Sequence, residues 1–201
     1  MKPVDTGKVY DQIAHRWDSD QFNRDNGIPQ HERALAFSKS AGIALDVGCG
    51  ASGRFIDLLL GKGYTVEGVD VSAEMLNLAR QRHPDVSFYL EDVCEWELTR
   101  TYDFITAWDS IWHVPLTQQA PLLRKLIAAL SSDGTLIFSC GGTDEQDELR
   151  DDFMGPEVYY SSLGINAYYE LFASEGAICR HFEYDQYPEL HSYFIVQKRS
   201  D

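Results

Sequence analysis

The stretch Ile43–Phe55, which reads IALDVGCGASGRF, constrains this chain more than any other. An apolar run from Ile43 to Val47 ends in a turn carrying Gly48, Gly50 and Gly53, then passes into residues of helical pattern. This order specifies a buried strand, a tight turn and a helix N-terminus. The glycines let the backbone turn sharply, let a ligand approach closely, and let the helix pack against the sheet. Free N–H groups at the start of the helix suit an anionic group or the polar tail of a cofactor. Alone, Gly-x-Gly-x-x-Gly says only that some nucleotide-like ligand approaches a helix start.

The remaining chain repeats the strand–helix alternation. Apolar and β-branched runs at Tyr64–Val69, Val86–Leu90, Tyr102–Ala107 and Gly134–Cys140 read as strands. Phe55–Gly61, Ala73–Arg82 and Thr117–Leu130 read as the helices between them. Strands and helices alternating at this spacing predict an α/β fold, a parallel sheet covered on both faces. Two helices precede the first strand, over Asp5–Phe22 and Gln30–Lys39. Val9, Ile13 and Trp17 form an apolar stripe on the first. These two pad the sheet edge or form a lid over a site. After the fifth strand the pattern breaks. Gly141–Gly164 reads as a long connection, acidic in its first part and aromatic in its second. Ile165–Ser174 is a helix, and Ala177–Tyr184 and His191–Lys198 are strands joined by Asp185–Leu190. So short a link requires an antiparallel pair, so the last strand is reversed.

Length and charge set the outer limits. A chain of 201 residues, 44% hydrophobic and 12% aromatic, is enough for one well-buried domain. We divide it into an N-terminal helical extension (1–40), a ligand-binding core (41–140) and a segment of substrate loop, helix and closing hairpin (141–201). A net charge of -15, from 17 Lys+Arg against 32 Asp+Glu, leaves little material for the basic face of a nucleic-acid binder. It also disfavours anionic membranes. The N-terminus MKPVDTGKVYDQIAHRW carries no apolar run of signal-peptide type, and no segment approaches a membrane span in length. Cys49, Cys94, Cys140 and Cys179 are scattered without a metal-binding spacing. They read as reduced side chains of a cytoplasmic protein, and no metal site is expected.

With these motifs in place, the chain resembles the class I S-adenosylmethionine-dependent methyltransferases, in their small single-domain form, over nearly its whole length. The resemblance implies a Rossmann-like, doubly wound, mostly parallel seven-stranded sheet with a reversed last strand and an N-terminal helical lid. In that family an acid precedes the glycine turn, matched by Asp46 in LDVGCG. An acid ending the second strand binds the ribose hydroxyls, matched by Asp70 in VEGVDVS. An Asp after the third strand contacts the adenine amine, matched by Asp92 in LEDV, with Val93 adding a backbone contact. Gly48, Gly50, Val71, Met75 and Trp108 complete the cofactor-binding set. The residues agree with this reading on their own chemistry. Ribose hydroxyls want a carboxylate acceptor, and Asp70 lies about 20 residues past the turn, where a nucleotide fold puts one. A dinucleotide-dependent oxidoreductase shares the glycines and Asp70, but Asp46 would then stand against a pyrophosphate, an unfavourable like-charge placement.

In an open parallel sheet, ligands bind at the carboxyl ends of the strands, where the strand order reverses. That rule brings together Tyr10, Trp17, Asp109, Trp112, Tyr159, Tyr160 and Asp185 as walls of a pocket for a small-molecule methyl acceptor. Transfer to N, O or S is an in-line displacement that needs alignment and, for a protonated nucleophile, a general base. His113 and His191 are the candidate catalytic groups, because imidazole titrates near neutrality. Each also has a structural reading, His113 as a polar loop residue beside Trp112 and His191 as a strand-end residue bonding a carbonyl. A cofactor-binding protein without transfer activity would carry the same motifs.

Overall fold

The computed structural model describes residues 1–200; Asp201, the final residue of the 141–201 segment, lies outside the described residues. Seven strands form the main sheet in the order β3-β2-β1-β4-β5-β9-β8. They are β1 (Ile43–Val47), β2 (Thr65–Asp70), β3 (Ser87–Leu90), β4 (Tyr102–Ala107), β5 (Leu130–Gly141), β8 (Ala177–Glu183) and β9 (His191–Lys198). The first five run parallel, with helices crossing over between β1 and β2, β2 and β3, and β4 and β5. β9 is antiparallel to both β5 and β8, so the reversed strand sits inside the sheet rather than at its edge.

Side chains alternate across the strands and meet helices on both faces. Ala44, Val66 and Phe104 pack with Ala34 of α2 (Ile28–Leu35) and with Phe55, Ile56 and Leu59 of α3 (Arg54–Gly61). Leu45, Val47 and Ile105 pack on the opposite face. Their partners are Leu123 and Leu126 of α5 (Leu116–Ala128) and Leu171 and Phe172 of α6 (Ile165–Ser174). α4 (Ala73–Arg82) connects β2 to β3, and the Ser72 hydroxyl caps its first turn by accepting from Met75 N at 3.1 Å.

Two expectations change. The first helix, α1 (Pro3–Ile13), continues only as a short 3-10 turn over Ala14–Arg16, not to Phe22. The polar run Asp18–Asp20 offers side-chain bonds that compete with helix. The connection after β5 is also not structureless. It holds a hairpin of β6 (Asp147–Asp151) and β7 (Val158–Ser162). β6 is exposed and acidic, so it shows no apolar alternation to read. β7 has the β-branched and aromatic pattern, and its buried residues lean on the loop after β4. There Ser161 Oγ donates to the Val114 carbonyl at 2.7 Å, and Gln119 Nε2 donates back to Ser161 Oγ at 3.0 Å. Among the described residues, no helix is long and apolar enough to cross a membrane.

Candidate active site

The strand order reverses between β1 and β4, so the loops that follow them diverge at the carboxyl edge and leave a crevice. A cavity of about 810 Å³ opens there, within the size range of small-molecule sites. The glycine turn forms one end. Gly48 takes φ +68 and its N–H donates to the Val69 carbonyl at 2.8 Å, which binds the turn to β2. Gly50 takes φ +56, and a side chain there would project into open space, with Met75 Sδ the nearest atom at 3.9 Å. The backbone thus lies bare to the cavity.

Asp70, at the end of β2, stands next to this turn. Its Oδ2 accepts from Gly50 N at 2.9 Å and its Oδ1 from Ser72 N at 2.8 Å. Burial raises its pKa, and these N–H groups oppose the shift. Each oxygen keeps capacity for one further donor, as a pair of vicinal hydroxyls requires. A bare glycine backbone beside a carboxylate with two acceptor positions fits the ribose and amino-acid portions of S-adenosylmethionine.

The other end of the cavity is aromatic and acidic. Tyr10 from α1 donates its hydroxyl to His113 Nε2 at 2.7 Å, and Trp112 Nε1 donates to the same nitrogen at 3.0 Å. An indole N–H is only a donor, so Nε2 is the acceptor and Nδ1 carries the proton that goes to the Tyr159 carbonyl at 2.8 Å. Burial lowers His113 to about 4. Its ring is therefore neutral and fully bonded, and it tethers α1 and the hairpin to the loop after β4. His191 is the opposite case. Its Nε2 donates to Asp109 Oδ1 at 3.0 Å and its Nδ1 to Asp185 Oδ1. Burial works against its charge, but the two carboxylates outweigh it and its pKa is raised. Both histidines lie on the cavity wall but neither offers a free basic nitrogen, and Asp109 stands beside them with Oδ2 outside the His191 bond. Its backbone takes φ +51, a region Asp tolerates better than most residues. Its own N–H donates to Ser139 Oγ at 2.7 Å, and Arg54 Nη2 lies 3.8 Å from its Oδ2.

A family model for the methyltransferase domain matches residues 22–191. The chain belongs to the S-adenosylmethionine-dependent methyltransferase domain family. Among curated relatives, it is 36% identical over 104 residues to a dTDP-3-amino-3,6-dideoxy-alpha-D-glucopyranose N,N-dimethyltransferase of Streptomyces fradiae, covering 50% of this chain and 40% of that protein. It is 30% identical over 157 residues to a ubiquinone biosynthesis O-methyltransferase of Paracidovorax citrulli, covering 69% of this chain and 62% of the relative. The chain thus spans less than two thirds of the length of either protein. Among solved structures, the fold resembles that of the Burkholderia thailandensis 1,6-didemethyltoxoflavin-N1-methyltransferase, crystallised with 1,6-didemethyltoxoflavin and S-adenosylhomocysteine. There the TM-score is 0.75 at 18% identity, covering 100% of this chain and 92% of that one.

In this methyltransferase domain the cavity wall takes in Gly48, Gly50, Asp70, Val71, Met75, Val93 and Trp108 from the cofactor set. Asp46 and Asp92 are not part of that wall. Asp46 is buried behind the turn. Burial pushes it up to about 7, with Arg54 opposing and Asp70 adding to the shift. Asp92 turns its Oδ1 to Cys94 N at 2.9 Å, closing a local turn, while its neighbours Glu91 and Val93 meet the cavity. Tyr10, Trp17, Asp109, Trp112, Tyr160, His113 and His191 line the cavity's aromatic and acidic end. Tyr159 and Asp185 do not. Successive residues of a strand point to opposite faces, so only one of Tyr159 and Tyr160 can enter. Tyr160 enters, whereas the Tyr159 hydroxyl donates to Glu148 and accepts from Leu116 N at 3.0 Å. Asp185 stands behind His191.

Arg54 and Asp151 line the cavity without having been singled out in the sequence. Arg54 had a signal, because a cation at the first residue of a helix opposes the helix dipole and calls for a specific partner. Its partners are the Asn26 carbonyl, Ser52 Oγ and the Asp109 carboxylate. Asp151 had none, since it belongs to an acidic run. Among the described residues, no cluster of three His, Cys, Asp or Glu side chains is placed to hold a metal ion.

Proposed function

We propose that this domain transfers the methyl group of S-adenosylmethionine to the N–H or O–H of a small molecule with an apolar or ring-shaped body, and that Asp109 meets that hydrogen. The observation that carries the reading is one continuous cavity, with the Gly50–Asp70 cradle at one end and Asp109 among Tyr10, Trp112 and Tyr160 at the other. S-adenosylmethionine, when bound, supplies a methyl group activated by its positive sulfur. Asp70 would accept the two ribose hydroxyls, and the Gly48–Gly50 backbone would take the amino-acid end. The aromatic walls would hold the acceptor by its flat body and keep water from its nucleophile. Asp109 Oδ2 would accept the nucleophile's hydrogen, fixing the direction of its lone pair, and would take the proton released as the new bond forms. Relatives named for transfer to an amino sugar and for O-methylation in ubiquinone biosynthesis support a small acceptor of this kind.

The test combines calorimetry with a transfer assay. S-adenosylmethionine should bind while NAD does not, and Asp70→Ala should weaken that binding on the order of 10-fold to 100-fold, the worth of charge-assisted hydrogen bonds. Methyl-labelled cofactor is then offered with a panel of ring-bearing amines and alcohols. Labelled product from the wild-type chain, lost in Asp109→Asn, supports the reading. Tight cofactor binding with no product from any panel member would point instead to a binding protein without transfer activity.

A further inference from the structure

Behind Asp109 lies a buried line of polar groups that the transfer step as described does not use. Asp185 in the β8–β9 turn has a side chain 4% exposed, and His191 at the start of β9 one 9% exposed. The imidazole stands between two carboxylates, Nδ1 on Asp185 and Nε2 on Asp109. An ionised carboxylate only accepts, so both ring nitrogens must donate, and the ring is an imidazolium. On the far side, Gln30 Nε2 from α2 donates to Asp185 Oδ2 at 3.0 Å. Trp108 and Trp112 pack against the imidazole with ring centroids 5.4 Å away, blocking its other orientations.

We propose that Asp185 and His191 are positioning residues for methyl transfer, a fixed cationic brace that holds Asp109 Oδ1 so that Oδ2 faces the acceptor. The inference rests on the reading of Asp109 as the group that meets the acceptor. Without the brace, Oδ1 of the partly buried Asp109 would keep only the Ser139 hydroxyl at 3.3 Å, and Arg54, 3.8 Å from Oδ2, would draw the carboxylate to its own side. The brace spans α2, the β8–β9 turn, β9 and the loop after β4, so it ties the acceptor end to the closing hairpin. The groups facing the imidazole are Asp109 and Asp185 in direct contact. Asp147, Asp151, Glu189 and Tyr160 stand across the adjoining cavities, and the cations on their walls are Arg54, beyond Asp109, and Arg16. The acids outnumber these two cations, in line with a charged ring.

The first test needs no acceptor. In the whole chain labelled at histidine, nitrogen NMR should show both His191 ring nitrogens protonated at neutral pH. Asp185→Asn should lower its titration by about 1–3 units, the range for loss of an adjacent opposite charge. A ring titrating at the ordinary imidazole value of about 6.5 in the wild-type chain would overturn the brace, and this result requires no variant to fold. The second test is kinetic, on whichever panel acceptor the wild-type chain methylates. Asp185→Asn should keep its S-adenosylmethionine affinity, because Asp185 does not line the cavity, and should lose roughly 10-fold to 100-fold in kcat, the scale of a misplaced catalytic group. The basic limb of its pH profile should move to lower pH, which a purely structural defect would not do. Wild-type kcat and an unmoved limb would refute the role. A chain that shows the charged ring but methylates nothing would refute the methyl-transfer reading, and with it the positioning role, while leaving the ion chain as structure.

Discussion

Gly48 shows at the residue scale how little freedom the glycine turn allows. A Cβ there would stand 2.3 Å from Ser110 Cβ, on a backbone at φ +68 that L side chains rarely adopt. Ser110 cannot retreat freely, because its hydroxyl donates to the Val47 carbonyl at 2.8 Å. Gly48→Ala should therefore destabilise the chain by about 1–3 kcal/mol, read from urea unfolding midpoints. An unchanged midpoint would show that the loop after β4 yields more easily than its bonds imply. The same turn also separates two uses of carboxylates. Asp70 lines the cavity with both oxygens already organised, whereas Asp46, two residues before Gly48, is sealed behind it. The sequence shows both as acids beside glycines, and nothing in their spacing tells which one faces the cavity.

At the scale of elements, the cavity is closed by pieces that lie outside the sheet. α1 reaches it through Tyr10 and is fixed near its C-terminal end by Asp11, whose Oδ1 accepts from Ser72 Oγ at 2.6 Å and from Glu74 N at 3.1 Å. Arg16 then donates to the Met154 carbonyl at 2.9 Å, joining the N-terminal segment to the hairpin tip. Tyr10→Phe removes the bond to His113 but leaves Asp11 in place. Such a bond contributes about 1 kcal/mol, so hydrogen exchange in α1 should speed up roughly 5-fold while that of β1 and β4 stays unchanged. Equal protection in both proteins would mean that Asp11 alone secures the helix. The hairpin shows the limit of pattern reading. β6 carries only exposed residues, so its strand form comes from pairing with β7 and not from its own alternation.

At the scale of the whole molecule, buried histidines link stability to acidity. His113 is held neutral by burial, its pKa lowered to about 4 against the ordinary imidazole value of about 6.5. Its contribution to stability is complete above pH 6.5 and is lost as the pH falls from there toward 4, because the unfolded chain then binds the proton more readily. His31, stacked on Phe55 beneath Trp108 and lowered by burial to about 3, acts in the same direction. Asp46 acts in the opposite one, since its raised carboxyl is relieved on acidification. The clean measurement is therefore a difference. Between pH 6.5 and 4.5, His113→Asn should lose about 2–3 kcal/mol less stability than the wild-type chain. Parallel losses in the two proteins would mean that the His113 ring accepts a proton in place. The sequence by itself determined the strand and helix alternation, the glycine turn, the reversed last strand and the presence of Asp70 at a strand end. Each of these follows from local pattern or from the length of a connection. Tertiary structure alone decided which of Tyr159 and Tyr160 enters the cavity, that Asp185 reaches the cavity only through His191, and that both candidate histidines are already bonded. Those outcomes depend on partners up to 103 residues apart, as in Tyr10 and His113, and contacts at such separation leave no periodicity in the chain that makes them.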